Sequence, residues 1–193
     1  DKANEDWETF MAEGEPQVIM SASAVQRVVT SERVKTVHEI ARPGRAGTGD
    51  ENYVDTRRVY ENAAFGYTGD TSPELRPVSG LMGGGEPYSE YLDIYGGKNP
   101  AVVTLKSEVK ERTTYTLGDS LNGYEQPSPV NAPRPRVQNY SSAQAGSYGK
   151  ATGKNWYKDH KMGAPEIQIH GGVTLADIAT ITFFGTPSAS VIA

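Results

Sequence analysis

The sequence predicts an α+β fold in which helices come first and short strands follow. Between about residues 22 and 64, apolar residues recur at helical spacing. From about residue 76 onward, apolar residues fall in short runs separated by turn-forming residues. The 193 residues suffice for one domain with a substantial core. We expect that domain to cover residues 21–193, with residues 1–20 as an N-terminal extension or tether.

The helical part begins after residues 1–20, an acidic stretch that we expect to be a short helix or a tether. Ser21 or Ser23 could cap the first helix, because a side-chain oxygen at that position accepts from a free backbone N–H. The helical spacing occurs in three places, namely at Val25 and Val28, at Val37 and Ile40, and over residues 50–64.

The later part of the chain predicts strands joined by turns and loops. Residues 106–110 predict a single helical turn, and residues 127–155 predict a long surface excursion rich in Pro, Ser, Gly, Asn and Ala. The predicted strands cover residues 76–81, 101–105, 112–116, 166–169 and 178–184.

Composition excludes several classes of function. The net charge of −5 and the pI near 5.3 argue against a surface built mainly to bind nucleic acid. No apolar run is long enough to cross a membrane, and no signal peptide is visible. Residue 1 is Asp rather than Met, so we expect an excised domain or a processed product of a longer chain.

The residues that bind metals most often are scarce. Cysteine is absent, which excludes disulfides, thiolate metal sites and a cysteine nucleophile. The three histidines, His38, His160 and His170, lie far apart and lack the spacing of a zinc site. The sequence therefore predicts no metal centre.

The stretch around Glu166 is the main candidate for chemistry. Strand alternation places Glu166, Gln168 and His170 on one face and the two intervening isoleucines on the other. The apolar face could anchor the strand in a core while the polar face lines a cleft. A carboxylate fixed there could bind a sugar hydroxyl and stabilise positive charge. Taken alone, Glu166 could instead be a surface residue of an edge strand. His170 could be a structural residue of the following turn, or a base for which the sequence shows no partner.

Other polar residues could complete such a cleft. Arg76 offers a planar fork of donors that suits phosphate, although it could also be solvated or paired with Glu74. Alternation places Thr114 and Thr116 on one face, with Ser120 nearby, although threonine also simply favours strands.

Aromatic residues beside glycines suit stacking on a flat ring such as nicotinamide or adenine, or packing of a loop over the core. They include Tyr88, Tyr91, Tyr95, Trp156 and Tyr157. A dinucleotide-binding fingerprint, a phosphate-binding P-loop and a Gly-x-Ser-x-Gly turn are all absent from the sequence.

Three motifs in order resemble the ADP-ribosyltransferases of bacterial toxins and phage-encoded proteins, in particular their arginine–serine–glutamate class. The resemblance covers about residues 25–182. The motifs are Arg-Pro-x-x-Gly at 76–80, Leu-Lys-x-x-Val-x-x-Arg-x-Thr-x-Thr-x-Gly-Asp-Ser at 105–120, and Glu-x-Gln-x-His-Gly-x-Val at 166–173. The resemblance implies an ADP-ribosyltransferase-like split β-sandwich with N-terminal helices.

The resemblance also implies roles and a substrate, NAD. Arg76 would bind NAD phosphate, and Glu166 would stabilise the cation formed as nicotinamide leaves. The loop near Trp156 and Tyr157 would recognise the target. Thr114 and Thr116, with Ser120 nearby, would order the cleft and contact the nicotinamide ribose. Tyr95 is the aromatic residue that we expect to bind NAD by stacking.

One departure from the family concerns the catalytic position. Arginine-modifying members carry Glu-x-Glu or Gln-x-Glu with the catalytic Glu second, whereas this chain has Glu166 before Gln168. Either Glu166 is catalytic, with Ala164 in the partner place, or Gln168 occupies the catalytic position. We favour Glu166, because it keeps a carboxylate where the cation develops.

The resemblance favours a mono-ADP-ribosyltransferase that acts as a toxin or effector on a macromolecule, with a protein preferred as acceptor over nucleic acid. It would be secreted or delivered as part of a larger protein, act in the cytoplasm without a membrane partner, and could have an immunity protein. An NAD glycohydrolase is a close alternative. A catalytically silent binding domain of a phage or surface protein is another.

Overall fold

The computed structural model describes residues 12–40, 52–83, 89–116, 138–139, 166–186 and 189. These form a seven-stranded sheet with strand order β6-β5-β7-β3-β1-β4-β9, and a separate two-stranded ribbon of β2 and β8. The strands are β1 (Glu15–Ser21), β2 (Arg33–Val34), β3 (Val78–Gly83), β4 (Pro100–Leu105), β5 (Thr113–Thr116), β6 (Gln138–Asn139), β7 (Glu166–Ile169), β8 (Val173–Thr174) and β9 (Ile178–Phe183).

Four α-helices accompany the sheet in the described ranges, and short 3₁₀ turns join several strands. The neighbouring strands that pair within these ranges all run antiparallel. This confirms the α+β class. The helices are α1 (Ala22–Ser31), α2 (Val37–Ile40), α3 (Tyr53–Phe65) and α4 (Ser89–Gly96), and the 3₁₀ turns are Pro73–Leu75, Ser107–Arg112 and Leu175–Asp177.

The first strand corrects one sequence expectation. Residues 15–20 were expected to belong to a helix or tether, but β1 lies inside the sheet between β3 and β4. Its pattern of buried residues explains why, since Val18 and Met20 point into the core. Helix α1 follows at once, and Ser21 caps it as predicted by accepting from the Ala24 backbone N–H at 3.2 Å.

The sheet has one apolar face, which forms the core. Registered neighbours in a sheet point to the same side, so β7 contributes Ile167 and Ile169 to the face that carries Val18 and Val103. Val25 and Val28 of α1 cover this face. The core cluster comprises Val18, Met20, Val25, Val28, Val34, Val78, Met82, Ala101, Val103, Leu105, Val109, Tyr115, Ile167, Ile169 and Val173.

The opposite face is polar where β5, β7 and β3 meet. Thr114, Gln168 and Ser79 stand side by side on these strands, and Glu166 pairs with Leu81 and Thr116 in a neighbouring row. Alternation along β7 therefore separates the isoleucines from Glu166 and Gln168, as the sequence predicted.

Gly80 permits the close packing of β3 on β1. A Cβ atom on Gly80 would lie 2.4 Å from the Gln17 carbonyl oxygen, closer than two non-bonded atoms can approach. The glycine of the Arg-Pro-x-x-Gly motif is therefore required by sheet packing. None of the helices in the described ranges is long and apolar enough to cross a membrane.

Candidate functional site

The candidate site is a row of hydrogen-bonded side chains on the polar face of β5 and β7. The Thr114 hydroxyl lies 2.9 Å from Oε1 of Gln168, and Nε2 of Gln168 donates to Oε1 of Glu166 at 3.2 Å. Gln168 is fully buried, whereas the Glu166 side chain is 12% exposed. The row thus leads from the interior of the sheet to a carboxylate that reaches the surface.

Helix α3 covers this row through Arg57. Its Nη2 donates to Oε1 of Glu166 at 3.1 Å and also to the Ser79 hydroxyl. Burial lowers the pKa of Arg57, but the nearby carboxylates of Glu166 and Glu61 outweigh burial and raise that pKa above its ordinary value. Arg57 is therefore a permanent cation beside Glu166.

Below Arg57 lies a buried carboxylate, Glu61, one turn further along α3. It accepts from Nε of Arg57 at 3.1 Å and from Nη1 of Arg76 at 3.1 Å, and its Oε2 lies 2.9 Å from Nε2 of His38. Two guanidinium groups thus face two carboxylates, those of Glu61 and Glu166. Such balance is what allows charges to be buried.

Arg76 belongs to this buried ion-pair cluster. It is 1% exposed, and its Nη2 donates to Asn62 Oδ1 at 3.1 Å and to the Thr68 carbonyl at 2.9 Å. Its guanidinium carbon also lies 5.9 Å from the centre of the Tyr67 ring. The pairing with Glu74 considered from the sequence is thus replaced by pairing with Glu61.

His170 joins the row at the end of β7, where the sequence had favoured a structural role over that of a base. Its Nε2 lies 3.0 Å from the Thr114 hydroxyl and its Nδ1 lies 2.8 Å from the Tyr67 hydroxyl. The Phe65 ring meets it edge-on at 4.8 Å between ring centres. Burial lowers the pKa of His170, so the imidazole is neutral at pH 7.

The side chain of Arg112 fixes the turn that follows His170. Its Nη1 donates to the His170 carbonyl at 2.6 Å and also to the Gly172 carbonyl. The His170 backbone N–H donates in turn to the Arg112 carbonyl at 3.0 Å. These hydrogen bonds hold the backbone of residues 170–172 in place, and with it the position of the His170 ring.

The remaining predicted site residues are not brought into this cluster. Tyr95 is 57% exposed on α4, which packs on β1 and β4 rather than on β7. The backbone of Thr116 pairs with Glu166, but its side chain lies outside the described residues. Ser120, Trp156 and Tyr157 also lie outside them.

Three residues of the site were given no role from the sequence, namely Arg57, Glu61 and Tyr67. Arg57 precedes Glu61 by four residues within a predicted helix, a spacing that brings two side chains together on one helix face. That signal could have indicated a buried pair. Tyr67 follows the helix in a loop, and no local pattern points to its contact with His170.

In the part of the site that the structure describes, there is no cluster suited to a metal ion. Among the residues that the structure describes, no group of three or more His, Asp or Glu side chains is placed to hold one. Its chemistry is that of a carboxylate, an amide and hydroxyls, which suit a sugar with several hydroxyl groups.

Comparison with known proteins identifies a distant relative. No protein-family model matches the chain. The chain is similar to the "Gene 2 protein" of Mycobacterium phage D29, with 27% identity over 184 residues. The match covers 89% of this chain and 65% of that protein, so the chain spans slightly less than two thirds of the relative's length.

Proposed function

We propose that this protein is an NAD-dependent mono-ADP-ribosyltransferase with an ADP-ribosyltransferase-like split β-sandwich. One observation carries the proposal: Thr114, Gln168 and Glu166 form one hydrogen-bonded row across β5 and β7. The threonine motif of the resemblance therefore lies on β5 and the glutamate motif on the neighbouring strand β7. Strand β3, which follows Arg76, lies on the other side of β7.

Glu166 is the catalytic residue of this proposal. As the bond between nicotinamide and ribose breaks, positive charge develops on the ribose, and a fixed carboxylate stabilises that charge. A nucleophile on the acceptor then attacks the anomeric carbon. Arg57 and Gln168 hold the carboxylate in place through Oε1.

The burial of the two candidates supports Glu166 over Gln168. Gln168 has no exposed surface and its amide bridges Thr114 and Glu166, which suits a positioning role. Glu166 stands at the start of β7 with part of its side chain exposed. A residue that must touch a bound substrate needs that access.

Arg76 stays the predicted phosphate-binding residue. Its guanidinium already bonds Glu61, Asn62 and the Thr68 carbonyl, so phosphate binding would require it to exchange one of these buried partners. The acceptor that we propose is a protein recognised through the segment near Trp156 and Tyr157. The biological role that we propose is that of a toxin or effector delivered into a target cell.

The deciding experiment measures the release of nicotinamide from NAD and the transfer of labelled ADP-ribose to protein in a cell lysate. We expect both with the natural sequence and neither with Glu166→Ala. Release without label transfer would indicate an NAD glycohydrolase. No release, with or without lysate, would refute both enzymatic functions.

A second candidate function is a catalytically silent binding domain of a phage or surface protein. The burial of Arg76 within ion pairs and hydrogen bonds favours it, because a buried guanidinium is poorly placed to bind NAD phosphate. Titration calorimetry with NAD separates the candidates. The enzyme should bind NAD and release nicotinamide, whereas a silent domain should do neither.

A further inference from the structure

The protons in the row that ends on Glu166 can be assigned one bond at a time. A carboxylate paired with a guanidinium accepts hydrogen bonds and donates none, so the group of Gln168 that faces Glu166 must be its NH₂. The amide oxygen of Gln168 therefore faces Thr114. An amide oxygen can only accept, so the Thr114 hydroxyl donates its single proton to Gln168.

This assignment decides the tautomer of His170. Since Thr114 has given its proton to Gln168, its oxygen must accept from His170, and Nε2 of the imidazole carries a hydrogen. The neutral ring then has a bare Nδ1, which accepts from the Tyr67 hydroxyl at 2.8 Å. Every donor in the series Tyr67, His170, Thr114, Gln168 points toward Glu166.

The charges around His170 agree with a neutral ring. Burial disfavours the imidazolium, the Glu61 carboxylate on α3 favours it, and the Arg112 guanidinium disfavours it. The Tyr67 hydroxyl is itself kept protonated, because burial and the Glu61 carboxylate outweigh Arg76 and raise its pKa. Tyr67 can therefore serve as a donor at any pH near neutrality.

We propose that Tyr67 and His170 are positioning residues, in which a neutral His170 protonated on Nε2 directs a one-way series of hydrogen bonds onto the Glu166 carboxylate. The inference rests on the proposed function for its catalytic consequence alone. If Nδ1 carried the proton instead, Nε2 would accept from Thr114, and Thr114 could no longer donate to Gln168. The amide that holds Glu166 would then lose its partner.

The direct test is the ¹⁵N NMR spectrum of the full chain labelled on histidine, with His170 assigned by comparison with His170→Gln. Protonated and bare ring nitrogens differ strongly in shift, so the spectrum reports the tautomer without any activity. At neutral pH we expect Nε2–H for His170. In Thr114→Val, which removes the acceptor of Nε2–H, a mixture of the two tautomers should form. A dominant Nδ1–H form in the natural sequence would overturn the inference.

A matched pair of variants tests the catalytic consequence. The Gln side chain is long enough to place its amide nitrogen where Nε2 of His170 lies. The Asn side chain is too short for its amide nitrogen to reach Thr114. We expect His170→Gln to keep nicotinamide release within about threefold of the natural value, and His170→Asn to lower it about tenfold or more, as small displacements in a catalytic site do. Thermal unfolding of both variants checks that they remain folded.

The two proposals fail in different ways. If the natural sequence releases no nicotinamide, the proposed function fails, while the tautomer of His170 still decides this inference. If release occurs and both amide variants are equally active, the series does not position Glu166. If both variants lost nicotinamide release equally, the inference would also fail, even with the expected tautomer. The loss would then not depend on whether residue 170 can bond to Thr114.

Discussion

Arg57 and Glu166 lie 109 positions apart in sequence, yet Nη2 of Arg57 is 3.1 Å from Oε1 of Glu166. This ion pair joins α3 to the first residue of β7 and crosses the polar face of the sheet. Both side chains are largely buried. Charges in such surroundings stabilise a protein only while each keeps its partner.

We expect Arg57→Ala to destabilise the protein by about 3–5 kcal/mol, because Glu61 and Glu166 would both lose a buried partner. Urea unfolding measures the loss. The adjacent Arg58 is the control, since its ion pair with Asp55 is exposed, with side chains 45% and 70% accessible. Arg58→Ala should cost at most about 1 kcal/mol. Similar losses in both variants would show that the Arg57 pairs are not buried as described.

The substitution Gly80→Ala tests the close approach of β3 to β1. The added methyl group would collide with the Gln17 carbonyl, which is backbone and cannot move aside without distorting two strands. We expect a loss of about 1–3 kcal/mol in urea unfolding.

Gly69→Ala provides the comparison for Gly80, since nothing lies within 4 Å of a methyl group there. That variant should be unchanged or more stable by about 0.4–1 kcal/mol, because alanine restricts the unfolded chain. If Gly80→Ala were as stable as Gly69→Ala, the pairing of β1 with β3 would need another register.

Glu166→Gln and Gln168→Ala together decide which residue holds the catalytic position. Glu166→Gln keeps the shape but removes the charge, and we expect nicotinamide release to fall about 100-fold or more. Gln168→Ala leaves the carboxylate but removes its support, so the fall should be smaller. Near-normal release by Glu166→Gln together with none by Gln168→Ala would move the catalytic position to Gln168.

Stability should depend on pH through His170. Its pKa in the folded protein lies below the ordinary 6.5, so between these two values the unfolded chain binds a proton that the folded chain does not. Stability should therefore fall as the pH is lowered through 6.5, and this fall should level off below the pKa of the folded state.

Urea unfolding of the natural sequence and His170→Gln, at a series of pH values from 5 to 8, isolates this contribution. His38 and His160 are present in both proteins and cancel in the comparison. The variant should show the shallower dependence on pH. Identical dependence in the two proteins would place His170 in a more solvated environment than described.

Several elements could be predicted because their cause is local. The apolar run of β4 is buried along its whole length, and alternation alone separates Ile167 from Glu166 and Gln168 in β7. Ser21 caps α1 through a bond to a residue three positions away. These features need no knowledge of distant parts of the chain.

Other features depend on pairing between distant segments. The mixed, partly polar sequence of β1 does not predict a central strand. Its central position in the sheet results from pairing with β3 and β4 on either side. Two contacts form only once α3 has docked on the sheet. They are the ion pair between Arg57 and Glu166 and the hydrogen bond between Tyr67 and His170. Local patterns carry no information about which strand a helix will cover.

The order of strands has a consequence for how the protein is made. Strand β7 lies between β3 and β5, although both are synthesised well before it. A nascent chain that ends before residue 166 therefore carries Ser79 and Thr114 but has nothing to join them, and lacks Glu166 altogether. Under the proposed function, the host that synthesises this protein meets no active form until translation has passed β7.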